Sequence, residues 1–142
     1  MQVSEVMSRN VETVDPQTPI VEAARKMRDG DVGALPVSAG GRLVGMITDR
    51  DIVVRAIAEG RQPEQTAVQE VLTSDLFFVR EEDSIEDAAD QMAEHQVRRL
   101  PVLSGNEQLV GIVSLADVVR TDQDSGAAAL DDISEPSQDS HS

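Results

Sequence analysis

The sequence predicts a mixed fold of the α/β (α+β) class. It is made of two β-α-β-β-α units that pack sheet to sheet with pseudo-twofold symmetry. The main observation is an internal repeat, since a shift of 65 residues aligns the two halves of the chain. The second is size, because a unit of about 60 residues buries only about 60% of its unfolded surface, so two copies should pack together. The aligned positions share residue type: Ile20, Ala23, Ala24 and Met27 with Ile85, Ala88, Ala89 and Met92, and Leu35-Pro36-Val37 with Leu100-Pro101-Val102.

A helix is predicted near the start of each copy, because its apolar residues recur at i, i+3, i+4 and i+7. Thr18 before Pro19 marks the start of the first helix, and either Asp83 or Ser84 marks the start of the second. Gly30 is expected to close the first helix, and His95-Gln96 stands at that place in the second copy.

A hairpin and a further helix complete each copy. Two short apolar runs around a glycine-containing turn predict the hairpin, and an extended segment precedes the first helix. In the first copy the extended segment is 11–14, the hairpin strands are 34–37 and 43–47, and the last helix runs from 49 to about 59. In the second copy the extended segment is 76–79, the hairpin strands are 100–103 and 109–113, and the last helix runs from 115 to about 120.

The copies are joined and followed by polar segments. Gly, Pro and polar residues over 61–66 predict a linker, so the first copy spans 1–60 and the second 67–120. Residues 121–142 hold six acidic side chains and no Lys or Arg. We expect this acidic tail to be disordered and solvated, with docking to a partner as the alternative interpretation.

The composition excludes several classes of function. The chain has 12 basic and 27 acidic residues, for a formal charge of −15, which argues against binding nucleic acid phosphates. Cysteine is absent and the two histidines are far apart in sequence, so a metal site is not expected. No run approaches the roughly 18 apolar residues of a membrane helix, and residues 1–20 do not resemble a signal peptide. We therefore expect a cytoplasmic protein without membrane or nucleic acid partners.

The candidate site is a duplicated motif at the end of each hairpin. Thr48 and Asp51 are separated by two residues, as are Ser114 and Asp117, and both pairs stand at the start of a predicted helix. One interpretation is a variant capping box, in which hydroxyl and carboxylate satisfy backbone N–H groups of the helix. The other is a nucleotide site, where the helix N-terminus favours phosphate and the Asp accepts ribose hydroxyls. Neither interpretation excludes the other.

Other candidate residues lie near the second motif. Arg98 and Arg99 are adjacent and could bind phosphate through two guanidinium groups, or could pair with surface glutamates such as Glu94 or Glu107. Phe77 and Phe78 could line a base pocket or pack in a core. No phosphate loop, nucleophile elbow or paired catalytic carboxylates occur, so we expect neither an enzyme nor a catalytic cofactor.

These motifs together resemble the cystathionine-β-synthase (CBS) domain family. The resemblance rests on the doubled Leu-Pro-Val and Leu-Val-Gly-x-(Ile/Val)-(Thr/Ser)-x-x-Asp patterns with an Ala-Ala-x-x-Met helix before them, over about residues 1–120. The chain is similar to stand-alone two-domain members, or Bateman modules, of the hypoxic response protein type. The resemblance implies two related clefts between the domains, a homodimer of modules and a regulated partner that the sequence does not identify.

The resemblance also implies a function and a set of ligand contacts. Family members of this kind bind AMP, ADP, ATP, NAD(H) or S-adenosylmethionine as regulatory ligands. The alternative is a dimeric protein-interaction scaffold with unoccupied clefts. Carried over to this sequence, the implied contacts are Thr48 and Ser114 to phosphate or ribose, Asp51 and Asp117 to ribose hydroxyls, Arg99 with Arg98 to phosphates, and Thr13, Phe77 and Phe78 as base-contacting walls.

Overall fold

The structure is a computed structural model that describes residues 1–125, and it confirms the α+β class. Helices and strands occur in the predicted order in each copy. The helices are α1 (Ile20–Gly30), α2 (Ile85–His95) and α3 (Leu115–Ser125), with a π-helix at Asp51–Ile57 and 3₁₀ turns at Val3–Glu5 and Val68–Glu70; the strands are β1 (Ala34–Ala39), β2 (Arg42–Thr48), β3 (Val79–Arg80), β4 (Arg99–Leu103) and β5 (Leu109–Ser114).

Helices α1 and α2 bury the apolar face that their spacing predicts. Pro19 precedes α1, and the Ser84 hydroxyl caps α2 by accepting from the backbone N–H of Asp87 at 3.0 Å. Helix α1 ends at Gly30, as the sequence predicted. The left-handed residue is Asp31, with a φ of 54°, and Asp is among the few residue types that adopt this conformation readily.

The hairpins also form as predicted. Strands β1 and β2 pair antiparallel, as do β4 and β5, and each pair contains an irregularity after the Val of its Leu-Pro-Val run. The extended segments before the helices are shorter than expected. They are reduced to a single bridge between Val14 and Val37 and to the two-residue strand β3, which pairs parallel with β4.

The chain forms two compact units, each with its own core. The central unit contains residues 12–76, and the terminal unit contains residues 1–11 together with the described residues from 77 onward. Each unit thus combines most of one copy with the opening residues of the other. Val68 is fully buried in the core of the central unit, and Val3 is fully buried in the core of the terminal unit.

The last helix of each copy differs from its prediction. In the first copy it is π-helical over Asp51–Ile57, with the N–H of Ala58 bonded to the carbonyl of Val53 at 2.8 Å. In the second copy α3 continues to Ser125, so the expectation of disorder is wrong for 121–125, where neither Gly nor Pro interrupts the helix. The rest of the acidic tail, 126–142, lies outside the described residues. Within residues 1–125, no helix has the length and apolar character needed to cross a membrane.

Candidate functional site

In the central unit, Thr48 and Asp51 form a reciprocal capping box. The Thr48 N–H donates to Asp51 Oδ2 at 3.0 Å, and the Asp51 N–H donates to Thr48 Oγ1 at 3.0 Å. Two backbone donors at the start of the π-helix are thereby satisfied. The capping interpretation of this motif therefore describes a real contact, and the Asp51 side chain is only 9% exposed.

The terminal unit repeats the same capping box at the start of α3. The Ser114 N–H donates to Asp117 Oδ2 at 3.0 Å, and the Asp117 N–H donates to Ser114 Oγ at 3.1 Å. The Asp117 side chain is 17% exposed. In both units the Oδ1 atom lies outside the capping box, so the surroundings of Oδ1 decide what else each carboxylate can bind.

Around Asp51, these surroundings come from the same unit. The Thr73 hydroxyl lies 3.1 Å from Oδ1 and 3.2 Å from Oδ2, and Arg55 Nε lies 3.8 Å from Oδ1. The Arg55 guanidinium also donates to the carbonyl of Leu72 at 3.2 Å. Asp51 therefore holds the segment that contains Leu72 and Thr73 against the start of the π-helix.

Around Asp117, the surroundings are different. Arg120 Nη2 donates to Oδ1 at 2.7 Å, and the Arg120 side chain is 69% exposed. Ser8 stands in the repeat where Thr73 stands in the other copy, and it pairs with Ile112 through two backbone hydrogen bonds of 2.8 and 2.9 Å. The Ser8 hydroxyl accepts from the N–H of Asn10 at 3.4 Å. The equivalent hydroxyls thus have different partners in the two units.

The strand register places a cation beside only one of the two motifs. Arg99 pairs directly with Ser114 across β4 and β5, whereas Ala34 pairs with Thr48 across β1 and β2. Side chains at directly opposite positions of an antiparallel pair lie about 5 Å apart at Cβ. Arg99 is exposed, and the neighbouring Arg98 carbonyl accepts from the N–H of Leu115 at 2.8 Å. Hydroxyl, carboxylate and guanidinium are therefore grouped in the terminal unit.

The two phenylalanines and the candidate glutamate partners lie elsewhere in the terminal unit. Phe77 packs against the core and stacks on His95, the last residue of α2, at a centroid distance of 3.9 Å. Arg80 lies over the Phe78 ring at 5.5 Å and pairs with Glu107, which the sequence offered as a partner of the arginine pair. The hydrogen bond to Glu107 is the main cause of a raised pKa at Arg80.

Thr13 lies in the central unit, next to the bridge residue Val14, and is partly buried. Three further residues contact the motif carboxylates and escaped the sequence reasoning: Thr73, Arg55 and Arg120. Arg55 could have been found as the i+4 partner of Asp51, and Arg120 as the i+3 partner of Asp117. Thr73 gave a weaker signal, namely a hydroxyl residue at equivalent places in both copies.

Among the described residues, no three His, Asp or Glu side chains come together in a group that could hold a metal ion. The site is instead a pair of capped helix starts at the ends of two hairpins, which defines a tandem module of duplicated β-α-β-β-α units. The sequence profile of the CBS domain matches residues 3–57 and 68–124. The chain belongs to the CBS domain family, as the sequence motifs predicted.

Several known proteins resemble most of the chain. The CBS domain-containing protein YhcV of Bacillus subtilis is 45% identical over 134 residues, which cover 93% of this chain and 94% of the relative. Hypoxic response protein 1 of Mycobacterium tuberculosis is 40% identical over 117 residues, covering 82% of this chain and 81% of the relative. A crystal structure of Hypoxic Response Protein I, described with two coordinated zinc ions, has a TM-score of 0.76 and 39% identity to this chain, and the similarity covers 84% of this chain and 98% of that one.

A third relative was solved with a nucleotide. The crystal structure of CBSX2, a CBS-pair protein of Arabidopsis thaliana, in complex with AMP has a TM-score of 0.75 and 27% identity. The similarity covers 88% of this chain and 98% of that chain. The prediction of a CBS pair of the hypoxic response protein type is confirmed by these comparisons.

Proposed function

We propose that this chain is a regulatory module that binds an adenosine-containing nucleotide without catalysing a reaction on it. The observation that carries the proposal is the grouping of Arg99, Ser114 and Asp117 in the terminal unit. The Ser114 hydroxyl and the start of α3 favour an anion, and an arginine forms short charge-assisted hydrogen bonds with phosphate. The Asp117 carboxylate accepts hydrogen bonds from a sugar diol. A nucleoside phosphate carries both of these groups.

Family membership supports the same conclusion. The CBS-pair protein CBSX2 was crystallised with AMP, and the alignment with it covers 88% of this chain and 98% of that chain. The Asp117 carboxylate is engaged in a helix cap, which suits a binding role better than proton transfer. A nucleotide bound in this way would act as a signal that alters how the module engages a regulated protein.

Thermal unfolding with a ligand panel tests the proposal. AMP, ADP, ATP, NAD and S-adenosylmethionine are added to the full-length protein, with GMP as the control for the base. A ligand at 100 times its Kd stabilises the folded state by about 2.7 kcal/mol, which raises Tm by about 5–10 °C for a chain of this size. At least one adenosine ligand should produce this shift. A melting temperature unchanged by every member of the panel at millimolar concentration would contradict the proposal.

Arg99→Ala separates phosphate recognition from recognition of the nucleoside. A hydrogen bond to a charged group contributes about 1.5–3 kcal/mol, so the variant should bind AMP about 10- to 100-fold more weakly in calorimetric titration. Its affinity for adenosine, which has no phosphate, should change little. Arg42→Ala is the matched control, because Arg42 is an exposed strand arginine at the far end of the other hairpin. Equal losses for AMP and adenosine would contradict the assigned role of Arg99.

The second candidate function is a dimeric scaffold, and one surface favours it. Val53, Val54 and Ile57 on the π-helix are 56%, 43% and 50% exposed, and they lie within about one helical turn of each other. The surrounding charges balance, whereas the whole chain carries −15. The charged residues between 49 and 61 are Asp49, Asp51 and Glu59 against Arg50, Arg55 and Arg61. A second copy is therefore the occupant we propose, because like-charge repulsion is weak at this surface.

Light scattering on the eluted protein tests the dimer. Val54→Glu places a charge in the contact and should convert a dimer to a monomer at micromolar concentration. Ala93→Glu is the control, because it adds the same charge at an exposed position of α2. A wild-type chain that elutes as a monomer, or a Val54→Glu variant that stays dimeric, would exclude this contact.

A further inference from the structure

We infer that the two motifs have divided their roles, so that Asp117 accepts a ligand and Asp51 is a structural clasp. By clasp we mean the contact of Asp51 with Thr73 and Arg55 defined above. The ligand half of this inference rests on the proposed nucleotide-binding function. The clasp half stands on the geometry of the central unit alone. The resemblance to the family implied equal roles for both carboxylates, so the inference goes beyond it.

The hydroxyl that covers the Asp51 carboxylate is fixed in place by its backbone. The Thr73 hydroxyl reaches both carboxylate oxygens, and Thr73 exchanges two backbone hydrogen bonds of 2.9 Å with Met46. This pairing holds Thr73 beside β2. A ribose hydroxyl could reach Asp51 only by displacing a hydroxyl whose backbone is anchored. Because the Asp51 side chain is 9% exposed, that displacement would also require a movement of its neighbours.

The side chain that covers the Asp117 carboxylate can move away from it. Its Oδ1 is met by Arg120, whose side chain is 69% exposed, and exposed ion pairs contribute little to stability. The arginine can turn into solvent without any change in the backbone. Ser8 has the same backbone pairing as Thr73, yet its hydroxyl accepts from Asn10. The two copies thus provide an internal comparison in which only one carboxylate is held by a fixed hydroxyl.

The two motifs also differ in the residue that lies opposite their hydroxyl across the hairpin. Arg99 stands opposite Ser114, whereas Ala34 stands opposite Thr48. A phosphate beside Thr48 would therefore lack the cross-strand guanidinium that it would meet beside Ser114. The terminal unit therefore contains both Arg99 and Ser114, which favour a phosphate, and Asp117, which is the carboxylate that is easier to expose. One nucleotide per chain, bound at the Ser114–Asp117 motif, follows from these three differences.

Calorimetric titration of the full-length protein with AMP tests the ligand half. Wild type should bind one AMP per chain, and Asp117→Asn should bind it at least tenfold more weakly. Asp51→Asn should keep the wild-type affinity within about twofold. Two equivalent sites, or an equal loss of affinity in a folded Asp51→Asn variant, would overturn the inference while leaving the proposed function in place. Absence of AMP binding in wild type would overturn the ligand half, whereas the proposed function would fail only if no member of the adenosine panel raised Tm.

Thermal unfolding without ligand tests the clasp half independently. Thr73→Val removes the hydroxyl but keeps the shape of the side chain, and it should lower Tm by roughly 3 °C or more. Ser8→Ala removes the equivalent hydroxyl from the terminal unit and should lower Tm by less than half as much. Equal Tm values for the two variants, or a Thr73→Val variant as stable as wild type, would overturn the clasp. If Asp51→Asn does not fold, Thr73→Val replaces it in the AMP titration with the same expected affinity.

Discussion

Gly45→Ala should destabilise the protein because the backbone of another segment passes directly against Gly45. A Cβ built on this residue would lie 2.7 Å from the carbonyl oxygen of Thr73 and 2.8 Å from Leu72 Cδ1. The Leu72 side chain could move, but the Thr73 carbonyl accepts the Met46 N–H at 2.9 Å and could move only by stretching that bond. Overpacking of this kind costs about 1–3 kcal/mol of folding free energy. Alanine is favoured over glycine inside a strand by less than about 1 kcal/mol, so this preference offsets only part of the cost.

Thermal unfolding of Gly45→Ala measures this cost. A loss of about 2 kcal/mol lowers Tm by about 4–8 °C in a chain of this size. Gly105→Ala is the matched control, since a Cβ there meets nothing within 4 Å and the backbone is not in the left-handed region. The control should melt within about 1 °C of wild type. A Gly45→Ala variant that melts with the control would refute the close approach of residues 72–73 to β2.

Three further predictions concern stability. Leu100→Ala empties a fully buried position and should cost about 2–5 kcal/mol in urea unfolding, whereas Leu76→Ala, at a residue 39% exposed, should cost less than about 1 kcal/mol. Ser84→Ala removes the side-chain cap of α2 and should cost about 1 kcal/mol, and Ser84→Asp should restore most of it; equal stabilities would contradict the cap. Gly111→Ala should destabilise the protein about as much as Gly45→Ala, because a Cβ there would lie 2.8 Å from the carbonyl oxygen of Ser8, which accepts the Ile112 N–H at 2.9 Å; a Gly111→Ala variant as stable as wild type would contradict this close approach.

The repeat, the helices and the hairpins could be predicted from the sequence because local periodicity determines them. Which chain segments make up each compact unit could not be predicted in this way. Val3 and Val68 occupy equivalent places in the two copies, so the opening segment of either copy offers the same side chain to either core. Nothing in the local pattern distinguishes the two arrangements. The choice depends on chain connectivity, which periodicity does not report.

The candidate site was predictable to a similar extent. The spacing of Ser114 and Asp117 predicted both a cap and a ligand contact, and the structure contains the cap. The difference between the two motifs could not be read from that spacing, because it arises from Thr73, which lies 22 residues beyond Asp51. The position of Arg99 opposite Ser114 depends on the strand register, which the irregularity after Val102 shifts by one residue. Long-range contacts of this kind are visible only in three dimensions.

A crystal structure of the full-length protein grown with saturating AMP tests the central claim most directly. The account predicts one AMP per chain, with its phosphate on Arg99 and Ser114, its ribose hydroxyls on Asp117 and the Thr73–Asp51 contact intact. AMP bound at Thr48 and Asp51 instead, or crystals without AMP at saturating concentration, would contradict it.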